Sequence, residues 1–134
     1  MKEPVWVEKS VILAIHSLLL AEHGGSPGVR DEGLLESALA RPRHLYSYGA
    51  ADLLILAAGY AAGMAQNHPF VDGNKRSSFM AMYIFLERNG LRLRASEADT
   101  AQAMLDLASG KIKEEVLTDW LRKNTRRKKV GKKG

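Results

Sequence analysis

The segment Leu53–Asn67 constrains the fold of this chain more than any other feature of the sequence. It is almost wholly apolar, and Asp52 stands immediately before it, where an aspartate can cap a helix. Its small residues are grouped as Ala-Ala-Gly at 57–59 and again at 61–63, and such residues allow neighbouring helices to approach closely. We therefore predict a central buried helix against which the other elements pack.

Apolar residues recur at helical spacing on both sides of this central segment. Capping residues such as Asp31 and Ser96, together with glycines and prolines, mark where the flanking helices begin and end. Residues 91–94 are predicted to form a short extended link. The predicted helices cover about residues 8–23, 33–40 (ending before Pro42), 53–67, 74–90, 96–110 and 114–123. The fold class is therefore all-α, a single compact domain of about six helices.

Composition limits both the size of the protein and its chemistry. The chain has 134 residues, 46% of them hydrophobic, which suits one domain with a buried core. There is no cysteine, which excludes disulfides, thiol redox chemistry and thiolate metal sites. The first residues lack a basic patch followed by an apolar run, and no apolar stretch is long enough to span a bilayer. We expect a cytoplasmic protein with no membrane partner.

The net charge of +5 is concentrated at one end of the chain. Residues 125–134 hold six of the 20 lysines and arginines, which leaves 14 basic and 15 acidic residues in 1–124. We divide the chain into a domain at 1–124 and a basic, disordered tail at 125–134. We expect no nucleic-acid partner, except a weak contact through this tail.

The chemistry is concentrated in residues 68–76, where the pattern of the central helix is broken by Pro69 and a new helix begins near Asn74. Free N–H groups at a helix start attract anions, and Gly73 lets phosphate oxygens approach the backbone. Lys75 and Arg76 add positive charge. We predict a phosphate site formed by Gly73, Asn74, Lys75 and Arg76. Because the Asp72 carboxylate would repel phosphate, it implies a bridging Mg²⁺.

Two further side chains of this loop have distinct predicted roles. His68 is the group here that can accept a proton near pH 7, so we predict that it is the general base for an incoming hydroxyl. Phe70 is best explained as an apolar plug that fixes the shape of the loop. A base, a metal-linked carboxylate and an anion site together favour phosphoryl or nucleotidyl transfer. The other histidines, at 16, 23 and 44, are predicted to be structural or solvated.

Residues 68–76 read His-Pro-Phe-Val-Asp-Gly-Asn-Lys-Arg and match every specified position of His-x-Phe-x-Asp/Glu-Gly-Asn-Gly/Lys-Arg, the motif of the Fic/Doc superfamily. The chain resembles the Doc (death-on-curing) branch in particular. Lys75 stands where adenylylating Fic enzymes have glycine, and Phe79 stands where many of them have a second arginine. Residues 29–38 and 85–90 also resemble that branch, so the resemblance covers about residues 5–122.

The resemblance implies the toxin of a type II toxin–antitoxin pair, a kinase that uses ATP and Mg²⁺ to phosphorylate a threonine of elongation factor Tu and so arrests translation. It implies that His68 is the base, Asp72 the metal-linked carboxylate and residues 73–76 the phosphate site. It also implies a Phd-type antitoxin as partner and a flap that holds the target, for which residues 26–30 are the candidate. Two alternatives stay open: a Fic-type adenylyltransferase, and a catalytically idle binding module.

Overall fold

A computed structural model describes residues 2–129 of the chain. These residues form six helices and two short strands, which confirms the prediction of an all-α domain of about six helices. In chain order the elements are α1 (Lys9–His23), α2 (Glu32–Ser47), α3 (Leu53–Asn67), α4 (Asn74–Arg88), β1 (Leu91–Leu93), α5 (Glu97–Ala108), α6 (Glu114–Asn124) and β2 (Thr125–Arg127).

Helix α3 is the centre of the fold, as its sequence predicts. Residues 56–65 are all buried, and α2, α4, α5 and α6 pack around them. A Cβ atom added at Gly63 would lie 3.0 Å from the carbonyl oxygen of Ala38 on α2, and one at Gly59 would lie 3.0 Å from the side chain of Leu45. The small residues of α3 therefore allow α2 to pack in close backbone contact, which explains why this helix is so rich in alanine and glycine.

Helix α2 is longer than predicted, because Pro42 lies inside it. The prediction that this helix ends before Pro42 is wrong. Proline removes one backbone hydrogen bond and costs a helix about 3 kcal/mol in isolation. Here Pro42 is itself buried, and Leu45 and Tyr46 in the next turn pack against the core, so tertiary contacts outweigh the local preference.

Local capping explains where three of the helices begin. The side chains of Asp31, Asp52 and Ser96 each accept a hydrogen bond from a backbone N–H in the following turn, at 2.9 to 3.0 Å. Each bond satisfies an N–H group that has no partner within its helix. The capping residues read from the sequence are confirmed at these three positions.

The chain after α6 returns to the body of the domain. Residues 125–127 form β2, which pairs antiparallel with β1 in the segment predicted to be extended. Residues 125–127 of the predicted disordered tail are therefore ordered, because the backbone of β1 offers a pairing edge that composition does not reveal. Residues 130–134 of the predicted disordered tail lie outside the described residues. Between residues 2 and 129, no helix combines the length and the apolar character that crossing a bilayer requires.

Candidate active site

His68 lies at the C-terminal end of α3 in an uncommon backbone conformation. Its φ of +46° and ψ of +58° are left-handed, and within residues 2–129 it is the one non-glycine residue with a positive φ. Its N–H still donates to the carbonyl oxygen of Met64 at 3.2 Å, so it closes the last turn of the helix. Pro69 follows and disfavours a right-handed helical conformation at residue 68. The side chain of His68 is left exposed to solvent.

Arg30 holds this helix end in place. Its Nε donates to the carbonyl oxygen of His68 and its Nη2 donates to that of Asn67, both at 2.8 Å. A guanidinium at the C-terminus of a helix satisfies carbonyl groups and complements the helix dipole. Arg30 therefore supports the backbone of His68.

Residues 26–30, the candidate flap, run alongside the loop. Val29 and Phe70 form an isolated antiparallel bridge, the N–H of Arg30 donates to the Pro69 oxygen at 2.7 Å, and the N–H of Val71 donates to the Gly28 oxygen at 3.0 Å. The flap and the loop are thus joined by main-chain hydrogen bonds over a short length. The segment chosen from the sequence does lie next to residues 68–76.

The inner part of the loop is fixed by Phe70 and Asn74. Phe70 is 1% exposed, so its side chain fills the core below the loop, as predicted for an apolar plug. The Oδ1 atom of Asn74 accepts from the N–H of Phe70 and its Nδ2 donates to the Phe70 oxygen, both at 2.9 Å. The amide side chain of Asn74 therefore bridges both backbone groups of Phe70, which leaves its backbone N–H to contribute to an anion site.

The first turn of α4 presents donors and positive charge. Gly73 precedes the helix with a φ of +79°, and the N–H of Ser77 makes the first intrahelical bond, to the Gly73 oxygen at 3.0 Å. The N–H groups of residues 74–76 precede that bond and have no partner within the helix. Lys75 and Arg76 are exposed, and neither is in an ion pair in the part of the chain that the structure describes.

Asp72 provides a carboxylate beside this helix start. Its Oδ2 atom accepts a hydrogen bond from the N–H of Ser26 in the flap at 3.2 Å. Across residues 2–129, no three histidine, aspartate or glutamate side chains are grouped closely enough to hold a metal ion by themselves. A single carboxylate suits Mg²⁺, which commonly takes one or two carboxylates and completes its shell with phosphate oxygens and water. The residues present therefore fit a metal bound together with a nucleotide.

His16 is part of this site, although it is 52 residues before the loop begins. It is 4% exposed, its Nε2 lies 2.8 Å from the carbonyl oxygen of Asp72, and its ring stacks on Phe70 with centroids 3.7 Å apart. Of the two roles predicted for His16, structural or solvated, the structural one is confirmed. Nothing in the spacing of His16 along α1 distinguishes it from a core residue, so the sequence gives no signal of its contact with the loop.

A groove of about 480 Å³ lies beside His68. Its lining is mixed: Leu107, Ala108 and Ile112, from α5 and the turn that follows, are apolar, and Lys113, Glu114 and Glu115 are charged. The groove therefore places a mixed polar and apolar surface next to the imidazole, whereas Lys75 and Arg76 belong to the helix start after the loop.

Comparison with known proteins adds an independent finding. A sequence model of the Fic/DOC family matches residues 6–86, which include α1, the flap and the loop. The chain is 31% identical over 113 residues to "Protein kinase doc" of Escherichia phage P1, an alignment that covers 84% of this chain and 89% of the relative. It is 41% identical over 86 residues to "Toxin Doc" of Mycolicibacterium smegmatis, covering 62% of this chain and 66% of the relative.

Proposed function

This chain belongs to the Fic/Doc family, and on that premise we propose that it is the toxin of a type II toxin–antitoxin pair. In this proposal it is a protein kinase that transfers the γ-phosphate of ATP to a threonine hydroxyl of elongation factor Tu in the cytoplasm and so arrests translation. The names of its relatives support a Doc-type toxin and a kinase. The observation that carries the proposal is that exposed His68 and Asp72 lie in the loop that leads into the donor-rich start of α4.

The proposed reaction uses the groups of the loop in distinct ways. The imidazole of His68 takes the proton of the threonine hydroxyl as the oxygen forms a bond to the γ-phosphorus. The bond from that phosphorus to the bridging oxygen breaks, and ADP leaves. Mg²⁺, when bound through Asp72, would neutralise charge on the phosphate oxygens. The N–H groups of residues 74–76, with the side chains of Lys75 and Arg76, hold the phosphates in place.

The left-handed conformation of His68 supports its assignment as the base. Such a conformation costs a non-glycine residue about 1–2 kcal/mol, and strain of this kind is concentrated at functional sites. Arg30 maintains it by bonding the carbonyl oxygen of His68. The imidazole is exposed, and it lines the groove, where a segment of a protein substrate could bring a hydroxyl to it.

Lys75 favours transfer of the γ-phosphate over transfer of AMP. It occupies the position where adenylylating members of the superfamily have glycine, so a long cation fills space and adds charge at the phosphate site. Its side chain is exposed, which leaves it available to a nucleotide. Adenylyl transfer uses the same base and the same helix start, and for this reason it is the second candidate reaction.

The test is to incubate the protein with elongation factor Tu, Mg²⁺ and ATP labelled at either the γ- or the α-phosphate. We expect label on the elongation factor from γ-labelled ATP alone, and loss of that label with His68→Ala. The matched control is His44→Ala, which removes an exposed histidine from α2. Label from α-labelled ATP would identify an adenylyltransferase. No transfer from either nucleotide would contradict both reactions on this target.

Control by a Phd-type antitoxin completes the proposal. We expect expression of this chain to stop growth and co-expression of such an antitoxin to restore it. Growth arrest that persists in the His68→Ala protein would support an idle binding module instead. Loss of arrest on deletion of residues 129–134, which keeps β2 and the contacts of Lys128 with Gly90 and Glu87, would favour a nucleic-acid contact through the basic tail.

A further inference from the structure

His16 has two contacts with the loop that the proposed reaction does not use. It belongs to the buried stripe of α1, one helical turn after Ile12, so its ring faces the domain interior. Because a carbonyl oxygen can only accept, the 2.8 Å contact between His16 Nε2 and the Asp72 oxygen requires Nε2 to carry the hydrogen. The same ring lies parallel to Phe70, with 9° between the planes.

The environment of His16 includes Gly73, the first residue of the proposed phosphate site. A Cβ atom added at Gly73 would lie 3.6 Å from both Cδ2 and Nε2 of the imidazole, so the ring packs directly behind Gly73. Leu20, one turn further along α1, would lie 3.7 Å from the same added atom. The face of α1 that carries His16 and Leu20 therefore backs the loop at the point where α4 begins.

We propose that His16 is a positioning residue that fixes the Asp72–Gly73 backbone. It thereby holds the Asp72 carboxylate and the first N–H groups of α4 in a fixed orientation relative to each other. The hydrogen bond holds the Asp72 carbonyl, and the stacked ring holds Phe70 beneath it. From the other side, the flap holds the Asp72 carboxylate through the N–H of Ser26. His16 touches no reacting atom in this account, and its effect on catalysis rests on the proposed function.

The positioning role differs from simple packing, because it requires a donor at Nε2. His16→Phe keeps a planar ring against Phe70 but removes the donor. His16→Gln removes the ring but places a side-chain N–H at a similar distance from the backbone. His23→Phe is the matched control, since His23 is an exposed histidine in the same helix.

The first measurement is independent of catalysis. A long-range ¹H–¹⁵N spectrum of the unmodified protein should show hydrogen on Nε2 of His16. Hydrogen exchange of the Val71 and Ser77 amides reports on the loop, because they donate to the Gly28 and Gly73 oxygens. We expect their exchange to accelerate roughly tenfold in His16→Phe, the equivalent of one lost hydrogen bond, and to stay near the original rate in His16→Gln and His23→Phe.

The second measurement is label transfer from γ-labelled ATP. We expect kcat to fall roughly 10- to 100-fold in His16→Phe with little change in KM for ATP, and to recover largely in His16→Gln. Unchanged exchange and unchanged kcat in His16→Phe would overturn the proposal, as would equal losses in His16→Phe and His16→Gln. If the unmodified protein transfers no label, the proposed function fails, whereas the exchange rates and the ring spectrum still decide the role of His16.

Discussion

The loop at residues 68–76 has an inner half and an outer half that meet very different surroundings. The inner half, Phe70 and the side chain of Asn74, is engaged with the protein through core contacts and two hydrogen bonds. The outer half, His68, Asp72, Lys75 and Arg76, is exposed. Stability and chemistry therefore depend on different side chains of the same short loop, so substitutions in the two halves should give opposite results.

The largest expected effect is on activity in the outer half. We expect His68→Ala to reduce label transfer by about 10²- to 10⁴-fold, the usual contribution of a general base. The free energy of unfolding should change by less than about 0.5 kcal/mol, since the side chain is exposed. Kinetics and urea denaturation of the same preparation test both statements. A large loss of stability would mean that the imidazole belongs to the inner half.

His68→Gly sharpens this prediction because it separates strain from chemistry. Glycine adopts a positive φ without steric cost, so this variant should be as stable as the original protein or more stable, by up to about 1 kcal/mol. It should be as inactive as His68→Ala. A loss of stability would contradict the view that the left-handed conformation is retained for function.

The next largest effect is on stability in the inner half. Phe70→Ala should lower the free energy of unfolding by about 3–5 kcal/mol, because it removes a fully buried aromatic ring and the contact with His16. Val71→Ala is the matched control: Val71 is adjacent and 52% exposed, so its change should stay within about 0.5 kcal/mol. Urea unfolding followed by circular dichroism measures both. Similar values for the two variants would remove the distinction between the halves.

The same comparison explains what the sequence could predict. The loop at residues 68–76 is a contiguous run with a recognisable order of residue types, so its location at a helix start could be anticipated from these residues alone. The flap at residues 26–30 was expected from the family resemblance. The central helix and the caps at Asp31, Asp52 and Ser96 were equally accessible, because they depend on local hydrogen bonds and on hydrophobic periodicity.

What supports the loop could not be predicted, because it comes from residues distant in sequence. His16 and Arg30 reach the loop only because α1 packs on α4 and α2 packs on α3, and neither has a spacing that marks it. The helix through Pro42 and the pairing of residues 125–127 with β1 also depend on tertiary contacts. For that reason local propensity ended α2 too early, and composition alone did not reveal the strand at residues 125–127.

Asn74→Ala should have an intermediate effect and decides to which half this residue belongs. Its side chain bonds both backbone groups of Phe70, so its loss should reduce the free energy of unfolding by about 1–3 kcal/mol. If the side chain instead served mainly to bind phosphate, KM for ATP would rise and stability would be unaffected. Thermal denaturation with and without Mg²⁺ and ATP distinguishes the two results.

The smallest expected effect concerns Asp52, which caps α3 at the end opposite the loop. Burial acts to raise the pKa of the Asp52 carboxyl, but hydrogen bonds from Arg122 and from the N–H of Leu54 outweigh it and hold the pKa below its ordinary value of 3.8. A carboxyl with a lowered pKa in the folded state stabilises the protein above its unfolded pKa, and this contribution is lost as the pH falls through the folded pKa.

Asp52→Asn should therefore cost about 0.5 kcal/mol at pH 7, since asparagine still caps a helix and the ion pair with Arg122 is partly exposed. The difference from the original protein should shrink as the pH falls below 3.8, where Asp52 itself becomes protonated. Urea unfolding at pH 7 and pH 3 measures this difference in the free energy of unfolding. Asp119→Asn, at an exposed position, is the control. Label transfer should be unchanged, because α3 is about 22 Å long and separates this cap from His68. A change in kcat would show that the two ends of α3 are coupled.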